Sequence, residues 1–275
     1  MRHKIGDYLI KIILFILGCS FLFPLFWMLN LSFKSKSEVY NNPFGLPQEW
    51  VFTNYGEALK TFDFLKYLNN SFIYTLSTAL ITIFLGSMLA YCVSRMEWRF
   101  ADYAIVYLTM GLIIPAQVVV IPLYMIVNTF GLKGSRMSLI LPYASFALSS
   151  CVLMLNAFFR GLPKELEEAA SIDGCNVYQC FFQIILPIVK PALATQFVLI
   201  FMNTWNEFFL AFILAGKENL RPLPVGLLSF FTSIGVSHWG LIGAAMIMTS
   251  IPTVIVYCFG NKQIENSLTA GAVLK

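Results

Sequence analysis

Charge is what this sequence lacks. Only 12% of its 275 residues are Asp, Glu, Lys or Arg, against about 25% in a soluble globular domain. Hydrophobic residues make up 58%, and mean hydropathy is +0.75. This balance excludes a water-soluble enzyme or binding module and marks an integral membrane protein. Histidine is nearly absent: His3 and His238 are the two, and neither has acids or cysteines spaced around it for catalysis or metal binding. No G-x-x-x-x-G-K-[ST] run occurs, so the chain holds no phosphate-cradling loop of its own. The six cysteines are scattered. Cys19, Cys92, Cys151 and Cys258 sit in apolar stretches as small fillers, and the spacing of Cys175 and Cys180 does not suit zinc. The net charge of +4 is spread singly along the chain, which excludes a nucleic-acid-binding surface. Alternating ten-residue segments of the β-barrel type are missing, as are low-complexity tracts and internal repeats.

What is present is length of apolar run. A spanning helix needs about 20 mostly apolar residues at about 1.5 Å rise each. Six windows qualify: Ile12–Leu31, Phe72–Val93, Tyr103–Val127, Leu139–Phe159, Leu193–Leu214 and Leu241–Phe259. The expected fold is an all-α integral membrane protein with six transmembrane helices. The first window follows Arg2, Lys4 and Lys11, as a secretory signal would. Its apolar stretch is too long for one, and Leu31-Ser32-Phe33-Lys34 is a poor cleavage site, so it reads as an uncleaved helix. We divide the chain into residues 1–70 (first span and following loop), 71–260 (a five-span core) and 261–275 (a tail). With the N-terminus inside, ten Lys/Arg fall on the cytoplasmic side and eight outside, a lean in the direction of the positive-inside rule.

Residues 34–70 form a long polar and aromatic connection, with turn signals at Asn41-Asn42-Pro43, Gly45 and Pro47. A short amphipathic helix is expected within Glu49–Lys66, carrying Tyr55, Leu59, Phe62 and Leu65 on one side. It would serve as a cap on the bundle or as a docking surface for an external partner. Pro115 and Pro122 interrupt the third window, and each removes a backbone donor. Gln117 lies between them, at a packing kink or a substrate contact.

Between the fourth and fifth windows the sequence changes character. Gly161-Leu162-Pro163 closes one helix and opens another, with Pro163 suited to a first helical position. Glu165, Glu167 and Glu168 follow where negative charge favours a helix N-terminus. Asp173-Gly174 stops the segment, glycine adopting the left-handed conformation without steric cost. The spacing predicts a helix of about ten residues, too short to span and marginal unless something holds it.

The run Glu168-Ala169-Ala170-Ser171-Ile172-Asp173-Gly174, a ten-residue gap, then Ile185-Leu186-Pro187 and Pro191 closely resembles the EAA loop of type I ABC importer permeases. Other stretches resemble the MalG-like, sugar-transporting branch: Ile114-Pro115-Ala116-Gln117-Val118, Leu141-Pro142, Trp205-Asn206-Glu207-Phe208, Phe52-Thr53-Asn54-Tyr55 and the tail Leu268-Thr269-Ala270-Gly271-Ala272-Val273. The resemblance runs over nearly the whole chain. It departs at Cys175, where alanine is usual, and at Ser267, where glycine is usual.

The resemblance implies a type I ABC importer permease fold with a cytoplasmic coupling helix. It implies a multi-pass subunit of a prokaryotic cytoplasmic (inner) membrane with both termini cytoplasmic. The implied activity is inward movement of a sugar or oligosaccharide, with a non-sugar solute or a secondary transporter as alternatives. The partners would be an ABC ATPase subunit dimer, a second homologous permease forming a heterodimer, an extracytoplasmic solute-binding protein, the sugar and membrane lipid. The chain itself would be no enzyme and would carry no cofactor, ATP and magnesium being bound by the ATPase. Glu168, Ala169, Ala170, Asp173 and Gly174 would carry ATPase coupling, and Thr269, Ala270 and Gly271 would carry the tail's contact with the ATPases.

The fifth window also holds Asn203, Trp205, Asn206 and Glu207. A carboxylate at mid-bilayer costs about 2.5–3.5 kcal/mol on insertion scales, so Glu207 must face protein or water. Helical spacing would place Asn203, Asn206 and Glu207 on one face. That face would line a solute pathway, with Trp205 stacking on sugar rings, or would be polar glue between helices.

Overall fold

The computed structural model describes residues 2–61, 63–228 and 238–273, with side chains over 8–60, 63–228 and 238–262. Those residues are helical with no strand among them, as expected where a backbone surrounded by hydrocarbon must satisfy its own hydrogen bonds. Four helices are long and apolar enough to cross a membrane, and two bent pairs bring the number of spans to as many as six. The elements used below are α1 (Arg2–Ser32), α2 (Lys36–Asn41), α3 (Thr53–Thr61), α4 (Phe64–Arg95), α5 (Ala101–Ile113), α6 (Ala116–Thr129), α7 (Met137–Arg160), α8 (Glu165–Ile172), α9 (Val177–Ile188), α10 (Lys190–Trp205), α11 (Phe209–Leu214) and α12 (Trp239–Val273). The chain divides into two compact units, Met1–Leu65 with Gly226–Ile251, and Lys66–Val225 with Pro252–Lys275.

In the first unit, none of the most apolar stretch of α1 is buried within the chain. Phe15 and Phe21 are among its most exposed residues. A helix apolar on all sides needs lipid or another membrane subunit around it. Past its end the chain folds into a tight cap. The Lys34 ammonium is fully buried and donates to the Asn42 and Gly45 carbonyls. Asn54 on α3 donates to the Ser32 and Lys34 carbonyls at 2.9 and 3.0 Å, satisfying acceptors that the end of α1 leaves open. Phe33 contacts the rings of Trp50, Phe52 and Tyr55. The motif Phe52-Thr53-Asn54-Tyr55 thus closes this local cap over the end of α1.

The inward side of α3 is Asn54, Tyr55 and Ala58, whereas Leu59 faces outward. The expected stripe of Tyr55, Leu59, Phe62 and Leu65 does not form, because α3 ends at Thr61 and Leu65 belongs to a new helix, α4, which starts at Phe64 with its own phase. Phe62 lies outside the described residues. Gly240 of α12 lies flat against the cap: an added Cβ would sit 2.3 Å from the Lys34 carbonyl oxygen and 2.8 Å from the Asn54 amide nitrogen. Gly240→Val is therefore expected to lower the thermal stability of the purified protein, by about 1–3 kcal/mol of overpacking. Differential scanning fluorimetry in detergent checks this, and an unchanged transition would show that the contact yields freely.

In the second unit, α7 runs through two cores. Towards its C-terminus Cys151, Val152, Leu155 and Phe159 pack with Ala90 and Tyr91 of α4 and with Phe181 and Ile185 of α9. Towards its N-terminus Leu139, Ile140 and Tyr143 pack with Tyr74 of α4, Val127 of α6 and Leu210, Ala211 and Leu214 of α11. The third window is two helices, α5 and α6, set at 104°. Pro115 occupies the corner, where its fixed φ of −65° and missing donor cost nothing. Pro122 stays inside α6.

The fifth window begins at a second bend, 74° between α9 and α10, with Pro187 before it and Pro191 after it. Over Cys180–Ile185 the helix widens to a π-type turn, so that Leu186 bonds to the Phe181 carbonyl, five residues back. The window then breaks again after Trp205, and Phe209–Leu214 forms the separate helix α11.

Candidate functional site: a docking helix and a polar cleft

Two places in the second unit gather the residues singled out from the sequence. The first is α8. It ends in a paired glycine stop: Cys175 N–H donates to the Ala170 carbonyl at 2.9 Å and Gly174 N–H to the Ser171 carbonyl at 3.1 Å. This is a Schellman motif, with Gly174 left-handed at φ +80°. The helix has eight residues, starting at Glu165, so Pro163 lies ahead of it and not at its first position. Immediately after it, Asn176 and Gln179 form a reciprocal capping box, each side chain accepting from the other's backbone N–H at 2.9 Å. Two helices therefore meet at a defined corner between Asp173 and Asn176.

The faces of α8 divide its residues. Ala170 is 2% exposed and packs in the core with Phe159 and Phe181, with Leu166 beside it. Glu168, Ala169, Ile172, Asp173 and Gly174 face outward, and Ile172 is 86% exposed. Ile172 thus stands bare on the same outward side as Glu168 and Asp173. Of the paired alanines, Ala169 alone is on that surface; Ala170 anchors the helix from within.

Sequence reasoning missed the residue that holds α8 in place. Arg95, in the last turn of α4, is 4% exposed in its side chain. Its Nε and Nη2 reach Glu167 Oε2 at 2.9 and 2.8 Å. Nη1 donates to the carbonyls of Phe159 and Leu162 at 3.3 and 2.9 Å, and Nη2 to that of Pro163 at 3.1 Å. One planar guanidinium thus joins the end of α4, the open carbonyls at the end of α7 and the first turn of α8. The segment, marginal on its own, is thereby tied to the bundle. Arg95 and Glu167 are 72 residues apart, and no local pattern announces such a pair.

The second place is an open cleft of about 620 Å³ walled by α6, α7 and α10. Gln117, Ser150, Gln196, Asn203, Thr204 and Glu207 give it polar groups, and Ala147, Leu199 and Ile200 are among its apolar walls. Glu207 lies in the break between α10 and α11. Its Oε1 accepts from Leu210 N–H at 2.7 Å, and its Oε2 from Ala211 N–H at 3.0 Å and the Tyr143 hydroxyl at 2.7 Å. A carboxylate at a helix N-terminus both satisfies orphan donors and meets the positive end of the helix.

The expected polar face over Asn203, Asn206 and Glu207 does not form as a unit. Because α10 ends at Trp205, the helical spacing fails there: Asn203 and Glu207 line the cleft, whereas Asn206 donates to the Met202 carbonyl at 2.8 Å and is exposed. Trp205 is 1% exposed, stacked on Phe201 at 5.5 Å and set edge-on to Phe72 at 4.9 Å. It is core, not a sugar platform in the cleft. The side chains of Thr269, Ala270 and Gly271 lie outside the described residues; the backbone there continues α12. Among the described residues, no three His, Cys, Asp or Glu side chains come together to hold a metal ion.

Residues 82–270 match the family described as binding-protein-dependent transport system inner membrane component. The chain belongs to this family. It is 33% identical over 272 residues to a probable ABC transporter permease, YurM of Bacillus subtilis, covering 99% of this chain and 90% of that protein. It is 35% identical over 251 residues to NgcG of Streptomyces coelicolor, a diacetylchitobiose uptake system permease, covering 90% and 82%. Its fold matches a chain of the crystal structure of a bacterial ABC transporter that imports the acidic polysaccharide alginate, with a TM-score of 0.86, 25% identity and coverage of 95% and 97%. The protein is an ABC importer permease of the inner membrane: a transport subunit and not an enzyme, working with an ATPase and a solute-binding protein.

Proposed function

We propose that this permease carries a neutral sugar or oligosaccharide inward through a pathway of which the α6/α7/α10 cleft is one wall. The chemistry of that cleft carries the reading. Its polar groups are amides and hydroxyls, which exchange hydrogen bonds with sugar hydroxyls one for one. No Lys, Arg or His is among the described residues that line it. The one carboxylate, Glu207, already holds three donors. An anionic solute would meet no counter-charge there and would lose hydration on entry.

A second, different permease supplies the opposite wall and makes a heterodimer. The exposed apolar stretch of α1 gives such a subunit ample room to pack. The outward residues Glu168, Ala169, Ile172, Asp173 and Gly174 dock on one ATPase of a dimer, which binds ATP and magnesium. That places α8, and with six spans both termini, on the cytoplasmic side.

Proteoliposomes containing this permease, its companion permease, the ATPase and the binding protein test the reading. ATP-driven, saturable uptake of labelled diacetylchitobiose or another neutral oligosaccharide is expected, with none of alginate oligomers. Uptake of the alginate oligomers with rejection of every neutral saccharide would overturn it. Omitting the companion permease is expected to abolish uptake; full activity without it would replace the heterodimer by a homodimer.

A further inference from the structure

Adjacent acids at the start of α8 point in opposite directions. Glu168 is exposed, while Glu167 turns inward to a guanidinium that is itself almost wholly buried. From this we infer that Arg95 and Glu167 form a rigid joint that transmits movement of the docking helix into the ends of α4 and α7, so that Arg95 is a positioning residue for ATP-driven transport. The inference rests on α8 being the ATPase-docking helix, and it adds the route by which motion leaves it.

The geometry is that of a joint and not of a hinge. A short helix attached by one flexible contact would swing when pulled, and the pull would be lost in the connection. Here five donor contacts from one planar group fix both distance and orientation. Three go to backbone carbonyls, which do not change rotamer. The Phe159 and Leu162 carbonyls belong to the end of α7 and the turn after it, and α7 passes through both cores of this unit. Directly beneath the joint, Ala170 and Leu166 of α8 pack with Phe159 and Phe181, so the helix is pinned on its apolar side as well.

At the other end of α7, Tyr143 holds Glu207 in the cleft wall. A displacement of α8 is thus handed to an element that reaches from the docking side to the cleft. Charge-assisted bonds are stronger than neutral ones, and a side chain only 4% exposed offers water little access to them. Lysine in place of Arg95 would keep the charge and lose the fork, reaching at most a few of these acceptors from one nitrogen.

The test uses the complete complex with wild type, Arg95→Lys, Glu167→Gln and, as the outward contrast, Glu168→Gln. Co-purification of the ATPase with the wild-type chain checks the docking assignment by itself. If the joint transmits, Arg95→Lys and Glu167→Gln still co-purify with the ATPase and keep its basal ATP hydrolysis, while stimulation by the loaded binding protein falls, because that signal crosses the same joint. Solute moved per ATP hydrolysed falls about fivefold or more, the lower end of measured couplings between sites. Glu168→Gln instead weakens ATPase co-purification.

Spin labels at Glu97 and Ser171, one beyond α4 and one on α8, supply a reading that does not depend on transport. In wild type their separation stays single and unchanged between nucleotide-free and ATP-trapped complexes, and in Glu167→Gln it broadens. Wild-type stoichiometry of transport in both joint variants would overturn the proposal. So would two distinct separations in the wild-type cycle, since α8 would then move against α4. Loss of ATPase co-purification in Glu167→Gln equal to that in Glu168→Gln would also overturn it, by placing Glu167 in the docking surface. Where Arg95→Lys fails to accumulate, Glu167→Gln, which keeps shape and acceptor, decides.

Discussion

Gly174→Val is expected to abolish ATP-driven uptake while the chain still inserts and is recovered in membranes. The reason is conformational and not steric. A Cβ at this position would meet nothing within 4 Å, but the backbone there is left-handed at φ +80°. A left-handed conformation costs an ordinary L-residue about 1–2 kcal/mol, and a β-branched side chain is a true outlier in it. The chain escapes that cost by leaving the conformation, which breaks the bonds from Gly174 and Cys175 to the carbonyls of Ser171 and Ala170.

Asp173 and the exposed end of α8 then move, and with them the corner that the Asn176–Gln179 capping box defines. The bundle is held elsewhere, by the cores along α7, so insertion survives. Gly174→Asn is the informative companion, because asparagine tolerates this conformation better than other side chains; it is expected to keep a substantial part of the activity. Uptake in proteoliposomes, with ATPase co-purification and membrane yield measured alongside, checks both variants. Normal uptake in Gly174→Val would remove the docking corner from the coupling mechanism.

The glycine stop was legible in the sequence because it is local: acids at a helix start, small and apolar residues, then Asp-Gly. The six apolar runs were legible for the same reason, since spanning length and hydrophobicity are properties of a window. What stayed hidden depends on where a helix is interrupted. Pro115 marks an interruption of the third run in the sequence, but does not reveal that the chain turns through 104° there. The polar face over Asn203, Asn206 and Glu207 assumed one helix where the structure has α10, a break and α11.

Long-range pairing was hidden for a different reason. Arg95 reads as one interfacial cation among ten, and Lys34 as an ordinary loop residue, yet both are buried and committed to backbone carbonyls. Helix ends leave unbonded carbonyls, and in an apolar bundle the few available cations are drawn to them. Which cation meets which end is a matter of packing, on which composition and spacing are silent.

Glu207→Leu is expected to be the most damaging change in the cleft, and Glu207→Gln a graded one. The carboxylate is expected to be either interhelical glue or pathway lining, and its position is compatible with each. It bridges α7 to α11 through the Tyr143 hydroxyl and two N–H groups, and it lines the cleft. Leucine removes every acceptor, leaving three donors in a largely apolar surrounding, each at about 1–3 kcal/mol. That is enough to unseat α11, whose six residues have little helical stability of their own.

Glutamine keeps one acceptor oxygen, but its amide nitrogen must then face an N–H or a hydroxyl that was donating. Complex yield is therefore expected to fall steeply in Glu207→Leu and modestly in Glu207→Gln. The two roles separate in the kinetics of the glutamine variant. If Glu207 also contacts the solute, Glu207→Gln raises the solute concentration needed for half-maximal uptake at equal complex content. If it holds helices alone, the maximal rate per assembled complex changes and that concentration does not. Tyr143→Phe isolates the bridge, since it removes one donor to Oε2 and leaves the carboxylate on the end of α11. Full assembly and unchanged uptake in Glu207→Leu would defeat both roles.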